Sequence, residues 1–190
     1  MSIEVTDDML RLLLVIKEYT SSDHASTLDW VKELPLMAVI YQGIIDGIFQ
    51  DYDYAPWSVS MLDGTRQWLN VSREGKDDLE DLLDLRNISM LRLSTSQYGF
   101  LTAYRLTKKG EKVARGVDPA LQSDVQRLVR CECGGIKHII IENRKFFFEC
   151  TVCNKREQIH IDQIEDLAYT TRVYIPDYLR SGGEDGGRKK

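Results

Sequence analysis

The chain has 190 residues, 43% of them hydrophobic and 29% charged, enough apolar material for one ordinary domain with a small appendage but thin for two. Its longest unbroken aliphatic run, residues 12–16, falls far short of the roughly 18 residues that span a bilayer, and the N-terminus has no basic leader. A membrane protein and a secreted precursor are therefore disfavoured, an intracellular setting (cytoplasmic or nuclear) is expected, and 17 aromatic residues with a net charge of only -5 exclude global disorder.

Charge is unevenly placed. Residues 1–85 carry 17 acids and 6 bases, whereas residues 86–160 carry 7 acids and 14 bases. A polyanion would meet the second half of the chain and be repelled by the first.

In chain order, Thr6-Asp7-Asp8 starts a helix to about residue 19, with a hydroxyl cap and acids in the first turn. A polar stretch, residues 21–27, precedes a second helix over residues 35–50, with Pro35 in its first turn and Gly43 and Gly47 placed to let another backbone approach. Residues 51–57, with Tyr52, Tyr54 and Trp57, read as a connection whose aromatics cap the core. Asp63-Gly64 is a turn, and short helices are predicted over 65–71 and 75–85. The second of these has Leu79, Leu82 and Leu83 on one face and five carboxylates around the rest.

Strand-like runs at 88–93 and 99–106, joined by a polar tip at 94–98, predict a hairpin. Thr107 caps a following helix, and Asp118-Pro119 starts another by the cap-then-proline pattern. Asn70-Val71-Ser72 and Asn87-Ile88-Ser89 match glycosylation acceptors, a coincidence if the chain is not secreted. Residues 181–190 have no apolar side chain and read as a loose tail.

The order of elements over residues 35–115, with Tyr104-Arg105-Leu106-Thr107-Lys108-Lys109-Gly110-Glu111-Lys112-Val113-Ala114 as its most specific piece, resembles a winged helix-turn-helix domain. That resemblance implies DNA binding through the third helix and the wing. The residues dissent, because the helix in that position would carry five carboxylates toward phosphates and the wing tip has no Lys or Arg. Bases gather instead at Arg86 and Arg92 and at Arg105, Lys108, Lys109, Lys112 and Arg115, the last five being the candidate nucleic-acid-binding residues.

All four cysteines fall within residues 131–153. Such crowding in a reducing compartment points to a metal rather than to disulfides. Cys131-Glu132-Cys133-Gly134-Gly135 and Cys150-Thr151-Val152-Cys153, with strands expected over 136–142, 145–149 and 155–161, are similar to a zinc ribbon. The ligand set so implied is Cys131, Cys133, Cys150 and Cys153 around one structural Zn2+, with no position open for a substrate. The first knuckle is one residue shorter than the usual pattern, so His138 or His160 in place of one sulfur, and an iron or redox site, stay open. In the run Phe146-Phe147-Phe148, alternation places Phe146 and Phe148 on one face and leaves Phe147 to pack on a helix, meet a partner or stack on a base.

The predicted fold class is α+β: a winged-helix-like domain with an N-terminal helical extension over 1–117, a connecting helix at 118–130, a zinc ribbon at 131–162, a C-terminal segment at 163–180 and the tail. The whole resembles transcription factor E of archaea, which implies a non-enzymatic factor that binds a larger protein assembly. The alternative is a nucleic-acid-binding regulator acting through residues 86–130. No phosphate loop, His-Glu metal motif or activated nucleophile supports an enzyme, and no membrane partner is expected.

Overall fold

The computed structural model describes residues 4–20, 30–61, 63–95 and 99–164. The predicted tip at 96–98, the polar stretch at 21–27, most of the segment at 163–180 and the tail lie outside the described residues. The elements are α1 (Asp7–Thr20), β1 (Val31–Lys32), α2 (Glu33–Ile45), β2 (Ala55–Ser60), β3 (Arg66–Val71), α3 (Arg73–Asp84), β4 (Ile88–Thr95), β5 (Gly99–Leu106), α4 (Lys108–Arg115), α5 (Pro119–Val129), β6 (Lys137–Glu142), β7 (Lys145–Cys150) and β8 (Arg156–Ile159). Among the described residues the fold is mixed α+β, with five helices and three small antiparallel sheets ordered β1-β5-β4, β2-β3 and β6-β7-β8. None of these helices is long and apolar enough to cross a membrane.

The helix caps form where the sequence places them. Thr6 Oγ1 accepts from Met9 N–H at 3.1 Å, Thr107 Oγ1 from Gly110 N–H at 3.1 Å, and the Asp118 carboxylate from Ala120 N–H at 2.7 Å. Two helix ends are wound in the same way. In α2, Gly47 takes a φ of +67°, its N–H reaches Ile44 O at 3.0 Å and Ile48 N–H reaches Gly43 O at 2.8 Å, so the helix stops at Ile45 rather than running on to residue 50. In α3, Arg86 takes the left-handed conformation, with Arg86 N–H on Leu83 O and Asn87 N–H on Leu82 O.

The segment at 65–71, predicted as a helix, is strand β3, paired residue for residue with β2 from Ala55↔Val71 to Ser60↔Arg66. Asp63-Gly64 is the turn it was read to be, with the Asp63 carboxylate accepting from Thr65 N–H at 2.9 Å and from its hydroxyl at 2.6 Å. The turn closes a hairpin, so the segment reading as a connection supplies the partner strand. Along β2, Pro56 lacks an N–H and Arg66 covers the Ser58 carbonyl at 2.7 Å, which blunts the strand for pairing with other chains. Of the three aromatics of that connection, Tyr52 is buried and stacks on Phe49, Tyr54 meets Tyr41 edge-on, and Trp57 remains exposed beside Lys76.

One continuous core runs through the helices and into the sheet of β6, β7 and β8. Leu12, Ile16, Leu36, Val39, Leu69, Leu82 and Leu128 belong to the same buried cluster as Phe146, Phe148, Ile159 and Ile161. Gly43 serves this packing: a Cβ there would sit 2.5 Å from the Phe49 ring and 3.1 Å from Leu128, so the space it leaves receives side chains and not the backbone anticipated. Asn70, one of the two glycosylation-like asparagines, is buried at the junction, its backbone N–H on Ile161 O at 2.8 Å and its side chain on Gln163 O at 2.7 Å; Asn87 is buried too.

The Leu106-Thr107-Lys108-Lys109-Gly110 phrase gains a physical meaning. Thr107 caps α4 and donates its hydroxyl to Arg86 O at 2.7 Å, which lays the first turn of α4 against the end of α3. A Cβ on Gly110 would overlap the Asn87 carbonyl oxygen and lie 2.9 Å from its carbon. Gly110→Ala is therefore expected to lower stability by about 3 kcal/mol, the upper end for forced repacking, in chemical denaturation. Gly116→Ala, whose Cβ would have no contact closer than 3.5 Å, is its control and is expected to be nearly neutral.

Candidate metal centre

Two backbone turns carry the cysteines. In the first, Cys131 N–H donates to Gly135 O and Gly134 N–H to Cys131 O, both at 2.8 Å, with Gly134 at a φ of +87°. These bonds turn the chain back within five residues, so that Cys131 and Cys133 point the same way even with a single residue between them. In the second, Cys150 N–H donates to Lys155 O at 2.9 Å, Asn154 N–H donates to Cys150 O at 3.0 Å, and Asn154 is left-handed. Thr151 N–H on Ile136 O at 3.0 Å ties the two turns together. Gly135 is required where they meet, since a Cβ there would stand 2.7 Å from Cys150 Sγ.

The four sulfurs consequently lie within 4.8 Å of one another, with Cys131 to Cys153 at 3.6 Å and Cys133 to Cys150 at 3.3 Å. A disulfide would need about 2.05 Å, and all four are free thiols. Sulfurs around a tetrahedral ion with metal–sulfur bonds of about 2.3 Å stand about 3.8 Å apart; the 3.3 and 3.6 Å contacts here are somewhat shorter, and the whole group fits within 4.8 Å. Among the described residues this is the one group of His, Cys, Asp or Glu side chains arranged to hold a metal, and neither His138 nor His160 belongs to it. Both histidines are exposed, His138 on β6 with its ring 6.3 Å from that of Tyr19.

The surroundings treat the sulfurs differently. Cys150 is buried, and N–H groups of Cys153 and Val152 aimed at its sulfur lower its pKa to about 6. At Cys153 the N–H of Lys155 lowers the pKa, but proton sharing with Cys133 and Cys150 outweighs it and raises the pKa to about 12. The donor set, all sulfur and four in number, suits a soft or borderline divalent ion and leaves no vacant position on a tetrahedral one.

The strands behind the knuckles are anchored on the helices. Tyr19 donates to Lys137 O at 2.8 Å; its hydroxyl is buried, which raises its pKa. Glu18 holds Arg130 by two bonds at 2.7 and 3.1 Å. Phe146 and Phe148 face the core, while Phe147, on the opposite face, lies under the Arg156 guanidinium, 5.2 Å from its ring centre. Arg156 is itself fixed by Glu142 and Glu149. Phe147 is thus covered from within its own sheet.

The five basic residues proposed for nucleic acid are dispersed in role. Arg105 stacks on Trp30 at 4.5 Å, Lys109 donates to Leu85 O at the end of α3 at 2.6 Å, and Arg115 donates to Glu111 O at 3.3 Å. Only Lys108 and Lys112 have no partner among the described residues.

The sequence reading missed a second charged group. Asp8, read only as a first-turn acid, is 1% exposed. It bridges Arg11 at 2.7 Å and the backbone N–H of Asp51 at 2.8 Å, and Arg11 reaches on to Asp124 at 3.4 Å, which ties α1 to the loop after α2 and to α5. The available signal was Arg11 itself, a base among Leu10, Leu12 and Leu13 on an otherwise apolar helix.

No curated protein and no solved structure matches the chain. A family model does match, over residues 8–159, a span that takes in Asp8 and all four cysteines. On that match the chain belongs to the family described as the Uncharacterized protein MJ1567 family.

Proposed function

We propose that the protein is a non-enzymatic adaptor or assembly factor, built from a winged-helix-like unit and a zinc ribbon held by Cys131, Cys133, Cys150 and Cys153, that docks on a macromolecular assembly of the kind found in transcription. The resident ion is Zn2+: it needs no redox chemistry, accepts four thiolates as a closed shell and serves as a staple. The winged-helix reading draws support from the order α2, α3, β4, β5, α4, with β1 completing a three-stranded sheet. The observation that carries the adaptor reading is the outward face of α3. Glu74, Asp77, Glu80 and Asp84 are all exposed on the helix that a winged-helix DNA binder would lay in the major groove. Such a face repels phosphate and suits a protein partner.

Gel shift of duplex DNA against salt tests the reading. With Lys108 and Lys112 as the unengaged bases among the five candidates, binding through that patch is expected to show a log–log slope no steeper than roughly -1.8. Lys108→Glu with Lys112→Glu is expected to leave capture of the protein partner from the native source unchanged. A slope near -4.5, the value for about five phosphate contacts, abolished by those two reversals, would install the nucleic-acid reading in its place.

A further inference from the structure

A cleft of about 450 Å³ opens beside the cysteine group, walled by the last turns of α5, the first knuckle and the start of β6 and β8. Cys131 and Cys150 form part of its lining, and so do four bases, Arg127, Arg130, Lys137 and Lys155. The arginines are engaged by carboxylates outside the cleft, Arg130 by Glu18 at 2.7 Å and Arg127 by Asp124 at 3.6 Å. The lysines are held differently. Both reach the one carboxylate of Glu157, Lys137 at 3.7 Å and Lys155 at 3.2 Å, and Lys137 also lies over the Phe148 ring at 5.3 Å with only a fifth of its side chain exposed. Glu132 also lines the cleft, so its four bases face two carboxylates there, and Lys155 lies within electrostatic reach of Glu132, Glu157 and Cys131.

A divalent ion in four thiolates carries a net charge of -2. That charge sits in a chain whose first 85 residues already hold an excess of eleven acids. We propose that Lys137 and Lys155, bracketed on Glu157, are the counter-charge of the metal–tetrathiolate centre and set how tightly and how long it keeps its ion. This rests on the metal reading above and adds the residues that govern metal release. By lowering the electron density of the thiolates toward competing acids, the two ammonium groups act as positioning and screening residues and are not ligands. Glu157 holds the lysines in place and also cancels part of their field, so its removal acts in the opposite direction.

The test follows zinc transfer from the zinc-loaded full-length protein to a chromogenic chelator at low ionic strength. Lys137→Gln with Lys155→Gln is expected to speed release roughly fivefold, Glu157→Gln to slow it roughly twofold, and 1 M salt to bring all three proteins together. Lys108→Gln with Lys112→Gln, remote in sequence and outside the cleft lining, is the neutral control. Equal rates for the wild type and both variants would overturn the proposal. So would protection of wild-type zinc by 10 mM inorganic phosphate that the double lysine variant lacks, since the lysines would then serve an anion from solution. A wild-type protein that takes up no zinc at all would overturn the metal reading itself, a result distinct from unaltered release rates.

Discussion

Cys150→Ser is expected to lose its zinc and, with it, the fold of β6, β7 and β8. Four thiolates converge on one point, and a serine hydroxyl in place of the buried Cys150 sulfur is a far poorer partner for a borderline-soft ion. Structural zinc contributes about 10–16 kcal/mol in small modules, more than the burial of Phe146, Phe148 and Ile159 supplies to a sheet of three short strands. The damage spreads further than an independent ribbon would allow. Those three side chains share one core with Leu12, Leu36 and Leu128, and Tyr19 bonds to the backbone of β6. Zinc content is expected to fall from one per chain to near zero, protease sites are expected to appear between residues 137 and 159, and the melting temperature of the helical portion is expected to drop as well. Retention of full zinc stoichiometry by Cys150→Ser would contradict the ligand assignment.

Asp8→Ala is expected to cost about 3–5 kcal/mol, the range for breaking a buried ion pair on one side. The Arg11 guanidinium, 7% exposed, would be left with the more distant Asp124, and the Asp51 N–H would lose its acceptor. Asp8→Asn keeps an acceptor for Asp51 without the charge and is expected to fall between the two. Adding Arg11→Met to Asp8→Ala is expected to recover much of the loss, because the penalty lies in the unpaired charge more than in the pair. Urea titration of the wild type, Asp8→Ala, Arg11→Met and the double variant gives the cycle; a strictly additive double variant would contradict the account of Asp8 as the partner of a buried Arg11.

The parts of the fold that follow from local chemistry were legible in the sequence. Thr6, Thr107 and Asp118 cap their helices as their positions require, and the alternation in β4, β5 and β7 gave the right strands, because a cap or a period-two pattern depends on a few neighbouring residues. The hairpin of β2 and β3 was not legible. Val59, Leu69 and Val71 do alternate, but Trp68 and Trp57 stay exposed, which blurs the inside–outside contrast that marks a half-buried strand. The end of α2 was missed for a different reason: apolar residues continue through Ile48 and Phe49, while the stop is written in a single left-handed glycine, Gly47.

At the site, cysteine spacing was enough to bring four sulfurs together, and the short first knuckle proved no obstacle, since Gly134 and Gly135 supply the tight return. Three of the five members of the basic patch contact Trp30, the end of α3 and the backbone of α4 while staying exposed. The Lys137, Glu157 and Lys155 bracket was hidden, because its members come from two strands and a knuckle separated by twenty residues of chain.

The account is tested most directly by elemental analysis of the purified full-length protein, paired with thermal melts in the presence and absence of a strong chelator. One zinc per chain, and a lower melting temperature once the chelator has stripped it, is the predicted result. Protein that carries no metal after zinc supplementation, and that melts at the same temperature with and without chelator, would contradict it.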